Sequence, residues 1–341
     1  MSVGYVYSPL YLQHDMGDHP ENPTRLEHIM QHLTDTGLLA QLVAVPAHEA
    51  TLRDIGRVHA PILISQARQL AERGGGALGA DTRVSVGSYE AALYAAGGMI
   101  AATQAVLDGV VESAFALVRP PGHHAMRQRA MGFCLFNNVA IAARWALASE
   151  SVERVAIIDF DVHHGNGTAE TFEADPRVLY VSLHQYPYYP FTGDWREKGR
   201  GAGEGTCLNI PLPGNTGDAG YRQAFERLVL PKVRRFCPDL ILVSAGYDAH
   251  WSDPLAWMLL SIDGFSFIAQ TLVALARELC QGRLAVGLEG GYNLDGLAHG
   301  VAATLSAMLD QPYEDVLGLA SEPERAVDDL IRSIARWHDL E

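Results

Sequence analysis

The run Arg154-Val-Ala-Ile-Ile158 has the apolar character of a fully buried strand, yet it leads straight into Asp159-Phe-Asp-Val-His-His-Gly-Asn-Gly167, with two acids and two histidines. Asp161 and His163 are two residues apart, so at an extended strand end their side chains point to the same side and can share one cation. Asp248, in Ser244-Ala-Gly-Tyr-Asp-Ala-His-Trp-Ser-Asp-Pro254, can supply a third ligand. Two carboxylate oxygens and one imidazole nitrogen, with a fourth position open to water, make the ligand count of a catalytic zinc site; iron(II) or cobalt can take the same ligands. Singly, each acid reads equally well as a strand-end cap and His163 as a satisfied polar residue. As a set they read as a metal centre, because carboxylates crowded at one buried edge repel each other without a cation.

A second cluster lies in Arg119-Pro-Pro-Gly-His-His-Ala125, where His123 and His124 sit side by side after another apolar run. The pair reads either as ordinary loop residues or as a second metal-binding pair, and Asp159 and Asn166 are candidates to hold their Nδ–H groups. A carboxylate partner raises imidazole basicity and an amide partner only orients the ring, so the two histidines would differ in pKa and one can serve as base and acid. Glu289-Gly-Gly-Tyr292 sets a phenol behind two flexible residues, where it can swing toward a polarised carbonyl; alone it reads as a tyrosine packed in a loop.

These residues need elements to bring them together. Five apolar runs read as parallel strands: Phe115–Arg119, Val155–Asp159, Val178–Ser182, Leu240–Ser244 and Leu284–Leu288. Between or before them, Tyr89–Leu107, Phe136–Ala148, Tyr221–Phe236 and Gly264–Leu279 read as helices, and the alternation predicts a parallel sheet covered on both faces. The polar clusters then fall at the carboxyl ends of strands, where an open parallel sheet forms its ligand crevice. With no linker, charge block or repeat, residues 1–341 are expected to form one domain. Leu10 to Pro23, Arg73 to Gly87 and Gln185 to Gly205 are the less regular stretches, of the kind that carries function.

Composition narrows the partners. At 48% hydrophobic residues the 341-residue chain can bury a sizeable core, and its formal charge of -15 argues against a broad nucleic-acid surface. A cationic partner such as a lysine-rich tail is compatible with that charge. The start of the chain lacks the pattern of a signal peptide and no stretch has the length of a membrane helix. Four scattered cysteines without a CxxC pair suggest neither disulfides nor a zinc knuckle. A cytoplasmic protein, without nucleic-acid or membrane partners and able to pair with a second copy, is expected.

The motifs RPPGHHA, DFDVHHGNGT, SAGYDAHWSDP and EGGYN, read together from His19-Pro-Glu-Asn-Pro-Thr-Arg25 to Tyr292, resemble those of the histone deacetylase and acetylpolyamine amidohydrolase superfamily in order and spacing. The resemblance implies an arginase-like three-layer α/β/α fold around a parallel sheet of eight strands. It implies zinc on Asp161, His163 and Asp248, His124 as general base and then acid, and His123 as the supporting imidazole. By the same matching Asp159 partners His123, Asn166 partners His124 and Tyr292 donates to the substrate carbonyl. The amide at Asn166, where class I members carry a carboxylate, puts the chain on the class II side. Phe133 and Tyr189 are implied as tunnel walls, the Gly132 carbonyl as the neighbour of the scissile amide N–H, and Asp81 as a rim acid that grips the substrate backbone. Structural potassium is implied at Asp159, Asp161, His163, Ser182 and Leu183, and at a second place formed by Phe172, Asp175 and Val178. His164 receives no role.

The expected reaction is zinc-dependent hydrolysis of the acetamide of N-epsilon-acetyl-lysine in proteins or peptides. Polyamine-selective relatives often carry an acid just after the Asp-Pro of the third zinc motif; here that position is Leu255, which offers a distal ammonium no partner. A deacetylase of acetylpolyamines or other small amides is the alternative. More distant readings are a two-manganese ureohydrolase on a related fold and an acyl-lysine reader without turnover.

Overall fold

The computed structural model describes residues 2–341. Its strands, in chain order, are β1 (Val3–Val6), β2 (Val43–Ala44), β3 (Gly76–Ala77), β4 (Arg83–Val84), β5 (Ser113–Ala116), β6 (Val155–Asp159), β7 (Val178–Gln185), β8 (Cys207–Leu212), β9 (Leu240–Ala245) and β10 (Leu284–Leu288). All but β3 and β4 join one eight-stranded sheet in the order β2-β1-β5-β10-β9-β6-β7-β8, and every pairing in it is parallel. Residues of β5, β6, β7, β9 and β10 are buried throughout, as expected where helices cover both faces, and this is why these strands read as unbroken apolar runs.

Four of the five expected strands run close to the expected spans, and β7 continues to Gln185. The first differs more: β5 covers Ser113–Ala116, because the ladder to the four-residue β1 ends at the pair Val6 and Ala116. Three strands of the sheet escaped the sequence reading. β1 is short and contains Gly4, β2 is two residues long, and β8 is interrupted by Asn209 and Pro211. Proline is tolerated there because β8 lies at the sheet edge, where a missing N–H breaks no ladder on the open side.

Helix starts follow their caps. The Ser261 hydroxyl accepts from Gly264 N at 3.1 Å and starts Ile262–Cys280; Asn137 Oδ1 accepts from Ala140 N at 3.0 Å and delays the helix expected from Phe136 to Asn138–Ala146. The helix expected over Tyr221–Phe236 begins at Asp218 and passes through a π turn at Phe225–Val229. Pro231 follows at once, and its missing N–H removes one bond of the regular ladder. The stretch Arg73 to Gly87, expected to be irregular, contains the antiparallel hairpin β3–β4. Among the described residues no helix is long and apolar enough to cross a membrane.

The sheet order places β5, β10, β9 and β6 side by side at the centre. Their carboxyl ends lead into His123 and His124, Glu289 to Tyr292, Asp248, and Asp159 to His163 respectively. Residues up to 169 positions apart in sequence therefore meet over one sheet edge.

Candidate active site

Three donors meet at the ends of β6 and β9. His163 Nδ1 lies 3.1 Å from Asp161 Oδ1 and 3.2 Å from Asp248 Oδ2, and one donor atom from each residue lies within 4.8 Å of the others. Ligands at zinc distances on a tetrahedron stand roughly 3.3 Å apart, so the spacing fits one small cation between them. Backbone N–H groups aim the carboxylates: Gly290 N donates to Asp161 Oδ2 at 2.8 Å and Val162 N to Asp248 Oδ1 at 3.0 Å. Asp248 Oδ2 is buried and accepts no hydrogen bond, an acceptor that a cation would satisfy. Burial disfavours charge on His163, yet Asp161 and Asp248 push its pKa up to about 10; the pocket favours positive charge at this point. Gly290 is required by the close approach, since a Cβ there would lie 2.2 Å from Asp248 Oδ2 and 2.6 Å from Asp161 Oδ2.

Beside the cradle stand the paired histidines, with ring centroids 4.0 Å apart. His123 Nδ1 is 3.1 Å from Asp159 Oδ2, which also accepts from the Tyr180 hydroxyl at 2.9 Å. His124 Nδ1 is 2.8 Å from Asn166 Oδ1. Both expected pairings are thus present, and the environments separate the two rings. Burial opposes a charged His123, but Asp161 and Asp159 raise it to about 10. Burial, His123 and His163 together hold His124 well below the ordinary histidine range.

A cavity of about 410 Å³ opens over these groups. His163, His123 and His124 line its floor, and Phe133, Tyr189, Tyr188 and Leu255 its sides. The half-buried Tyr292 also lines it, and among the described residues its hydroxyl has no hydrogen-bond partner. Burial raises the phenol well above its ordinary pKa, so it remains a donor. Gly132 adopts φ +56° with its Cα against the His124 ring, where a Cβ would come within 2.2 Å of Cδ2. The Gly132 carbonyl accepts from the Cys134 thiol at 3.2 Å. Asp81 is at the cavity wall, but its carboxylate is engaged: it accepts from Gly132 N at 3.0 Å and from the Tyr189 hydroxyl at 2.7 Å.

The residues expected to hold potassium lie on adjoining segments. Asp159 pairs in register with Ser182, and the Ser182 hydroxyl meets His184 Nδ1 at 2.9 Å. Phe172, Asp175 and Val178 form one tight turn in which Asp175 N donates to Phe172 O at 2.9 Å and Val178 N to Asp175 O at 3.2 Å. The Asp175 carboxylate is held by Arg144 and Arg177. His164 is a buried imidazole whose Nδ1 meets the Thr192 hydroxyl at 2.7 Å.

Several supporting residues were not singled out in the sequence. Glu289 Oε2 accepts from Gly122 N at 2.6 Å and His123 N at 3.2 Å, and Oε1 from the Ser244 hydroxyl at 3.0 Å; it clamps the turn that carries the histidine pair. Asp253 Oδ2 accepts from Tyr292 N at 2.7 Å and Asn293 N at 3.1 Å, fixing the tyrosine's backbone. Arg25 donates to Gly291 O at 2.7 Å and Glu289 O at 2.6 Å, and its guanidinium lies 5.0 Å from the Tyr292 ring centre. Arg25 and Arg119 share the buried Glu21. Glu289 and Asp253 had one available signal: each is an acid inside a motif that already held a functional residue.

A cluster of candidate metal donors that opens on an imidazole pair and a phenol, with no serine or cysteine lining the cavity, suits hydrolysis by an activated water without a covalent side-chain nucleophile. Residues 19–308 match the histone deacetylase domain, and the chain belongs to that family. It is 42% identical over 299 residues to a probable deacetylase of Archaeoglobus fulgidus, covering 87% of this chain and 83% of that protein. A histone deacetylase-like amidohydrolase of Pseudomonas aeruginosa is 42% identical over 292 residues, 85% of this chain and 75% of that one. The crystal structure of the HDA15 HD domain overlays with a TM-score of 0.92 at 35% identity, over 99% of this chain and 94% of that one. The protein is a hydrolase of the deacetylase type on the α/β fold of the family.

Proposed function

We propose that the protein is a zinc-dependent deacetylase that hydrolyses the acetamide of N-epsilon-acetyl-lysine in proteins or peptides and releases acetate. The observation that carries this reading is the convergence of the Asp161, His163 and Asp248 donors with His124 and the free Tyr292 hydroxyl on one cavity. Zinc held by those three residues would polarise the amide carbonyl and acidify a water molecule. With Nδ1–H donated to Asn166 Oδ1, His124 keeps the Nε2 lone pair free; it accepts a proton from the attacking water and passes one to the departing lysine amine. His124 is held neutral by burial and by the positive charge of His123 beside it, as a base must be before it acts. Tyr292 donates its O–H to the carbonyl oxygen as negative charge develops there. His123, kept protonated between Asp159 and Asp161, adds fixed positive charge to the same region.

The sides formed by Phe133, Tyr189 and Leu255 suit the four methylenes of a lysine stem and give no partner to a second ammonium. Potassium at Asp159, Asp161, His163, Ser182 and Leu183, and at Phe172, Asp175 and Val178, is part of this reading and would brace the segment beneath the zinc ligands. Among the described residues a single cluster of three metal-ligating side chains is formed, which favours one catalytic metal over the two of a ureohydrolase. The test compares kcat/KM on an acetyl-lysine peptide and on acetylspermidine, with and without chelator. A preference for the peptide that vanishes on chelation is expected. Higher kcat/KM on acetylspermidine would assign the protein to small amines, and undiminished activity after full metal removal would overturn the zinc role.

A further inference from the structure

The hairpin β3–β4 pairs Gly76 with Val84 and Ala77 with Arg83, and its turn closes with Leu78 N and Gly79 N both donating to Thr82 O. The turn presses on the loop that forms one side of the cavity: a Cβ at Gly79 would lie 2.5 Å from Ala130 O. Asp81 and Thr82 sit at this tip. Asp81 Oδ1 accepts from Gly132 N at 3.0 Å and from the Thr82 hydroxyl at 3.0 Å, and Thr82 Oγ1 accepts from Phe133 N at 3.1 Å. Gly132 and Phe133 are consecutive residues with positive φ, 56° and 66°, a conformation that costs energy at Phe133 and persists only where neighbours fix it. The second carboxylate oxygen crosses to the other wall and accepts from the Tyr189 hydroxyl at 2.7 Å. Tyr189 in turn stands edge-on to the His124 ring, with centroids 5.2 Å apart.

We infer that Asp81 is a latch that ties the Gly132–Phe133 wall to the Tyr189 wall and thereby sets the width of the cavity, instead of gripping the backbone of a substrate. The inference rests on the reading of this cavity as the acyl-lysine site. A carboxylate accepts about four hydrogen bonds at most, and three of these positions are filled from within the chain. Recognition then falls on the acylated amine and its stem, and the residues flanking the lysine contribute little. Asp81 is a positioning residue, and the acceptable carriers extend to acetylated amines without main-chain amides.

The experiment measures kcat/KM on an acetyl-lysine peptide and on an N-acetylated alkylamine lacking backbone amides, for Asp81→Ala, Asp81→Asn, Tyr189→Phe and the double variant Asp81→Ala/Tyr189→Phe. The latch predicts that Asp81→Ala and Tyr189→Phe each lose about tenfold on both substrates and that the double variant loses no more than the worse single one, as for two ends of one bond to a charged group. Asp81→Asn should stay within about threefold of the parent, since its oxygen can accept from Gly132 while its NH₂ donates to a rotated Tyr189 hydroxyl. Loss confined to the peptide in Asp81→Ala, or additive losses in the double variant, would overturn the latch. Melting temperatures of the same four variants report the bond without turnover: non-additive shifts support it, and additive shifts refute it. An inactive parent protein would count against the deacetylase reading while leaving that second measurement intact.

Discussion

Tyr292 and His124 are the residues at which geometry and charge make the most definite demands. Tyr292 has a free hydroxyl, a backbone held by Asp253, and a ring under Arg25, so removing its oxygen should disturb little except the donor. Tyr292→Phe is expected to bind zinc with unchanged stoichiometry by elemental analysis while kcat falls about 10²–10³-fold, the usual effect of deleting one donor to an oxyanion. An unchanged kcat would remove Tyr292 from the mechanism. His124→Ala should cost about 10²–10⁴-fold in kcat/KM, and its melting temperature shows whether the pocket has collapsed. The same scale explains why Glu289 is buried as an acid: its pKa is pushed up to about 7 by burial, and its oxygens accept three donors from the turn and from β9.

At the level of elements, loops far apart in sequence are joined by single buried side chains. His59 links three of them. Its Nδ1 meets Met126 O at 2.9 Å and its Nε2 accepts from Asn137 N at 2.8 Å, next to the start of the helix Asn138–Ala146. The bond from Asn137 needs the neutral ring, because Nε2 must accept, and burial lowers the pKa to about 4 against the opposing bond to Met126 O. In the unfolded chain His59 binds a proton near pH 6.5, but in the folded chain only near pH 4, so between these values the unfolded state carries more protons. Stability therefore falls as pH drops through that window, by about 3 kcal/mol from this group when the window is crossed. Urea unfolding at pH 7 and pH 4.5 should show a smaller difference in His59→Gln than in the parent; equal differences would assign the acid sensitivity elsewhere. Arg25 works in the same way between the helix Thr24–Asp35 and the strap after β10. Arg25→Ala should destabilise by about 3–5 kcal/mol in urea unfolding, since it breaks a buried ion pair with Glu21.

For the molecule as a whole, the candidate metal cradle is where β6 and β9 are joined beyond their ladder. Asp161 and Asp248 are buried on either side of His163, and a divalent cation would offset their repulsion more fully than one imidazolium does. Metal removal is expected to lower the melting temperature by roughly 5–10 °C, with recovery on adding zinc, if zinc is present near 100 times its Kd. Asp248→Ala should show no zinc-dependent shift. A parent protein whose melting is indifferent to chelator and zinc alike would mean that the cradle does not hold metal in the folded state.

The sequence by itself determined the central part of the sheet and which candidate residues gather at its edge. β6, β9 and β10 are buried on both faces and so are apolar at nearly every position, and the sudden arrival of Asp159, Asp161 and His163 at the end of such a run can be read without coordinates. That Asp159 and Asn166 were candidates to hold the two imidazole Nδ–H groups was also legible, but which histidine each one partners came only from the resemblance to the family. What only the tertiary structure decided are contacts between segments with no shared pattern. β8 hides behind Asn209 and Pro211, since an edge strand needs neither a full ladder nor two apolar faces. Glu289, Asp253 and Arg25 act through backbone groups of other segments, and backbone groups leave no trace in residue identity. Asp81 is the clearest case: its acid side chain is visible in the sequence, but only the approach of the β3–β4 tip to Gly132 and Tyr189 decides that its oxygens face inward.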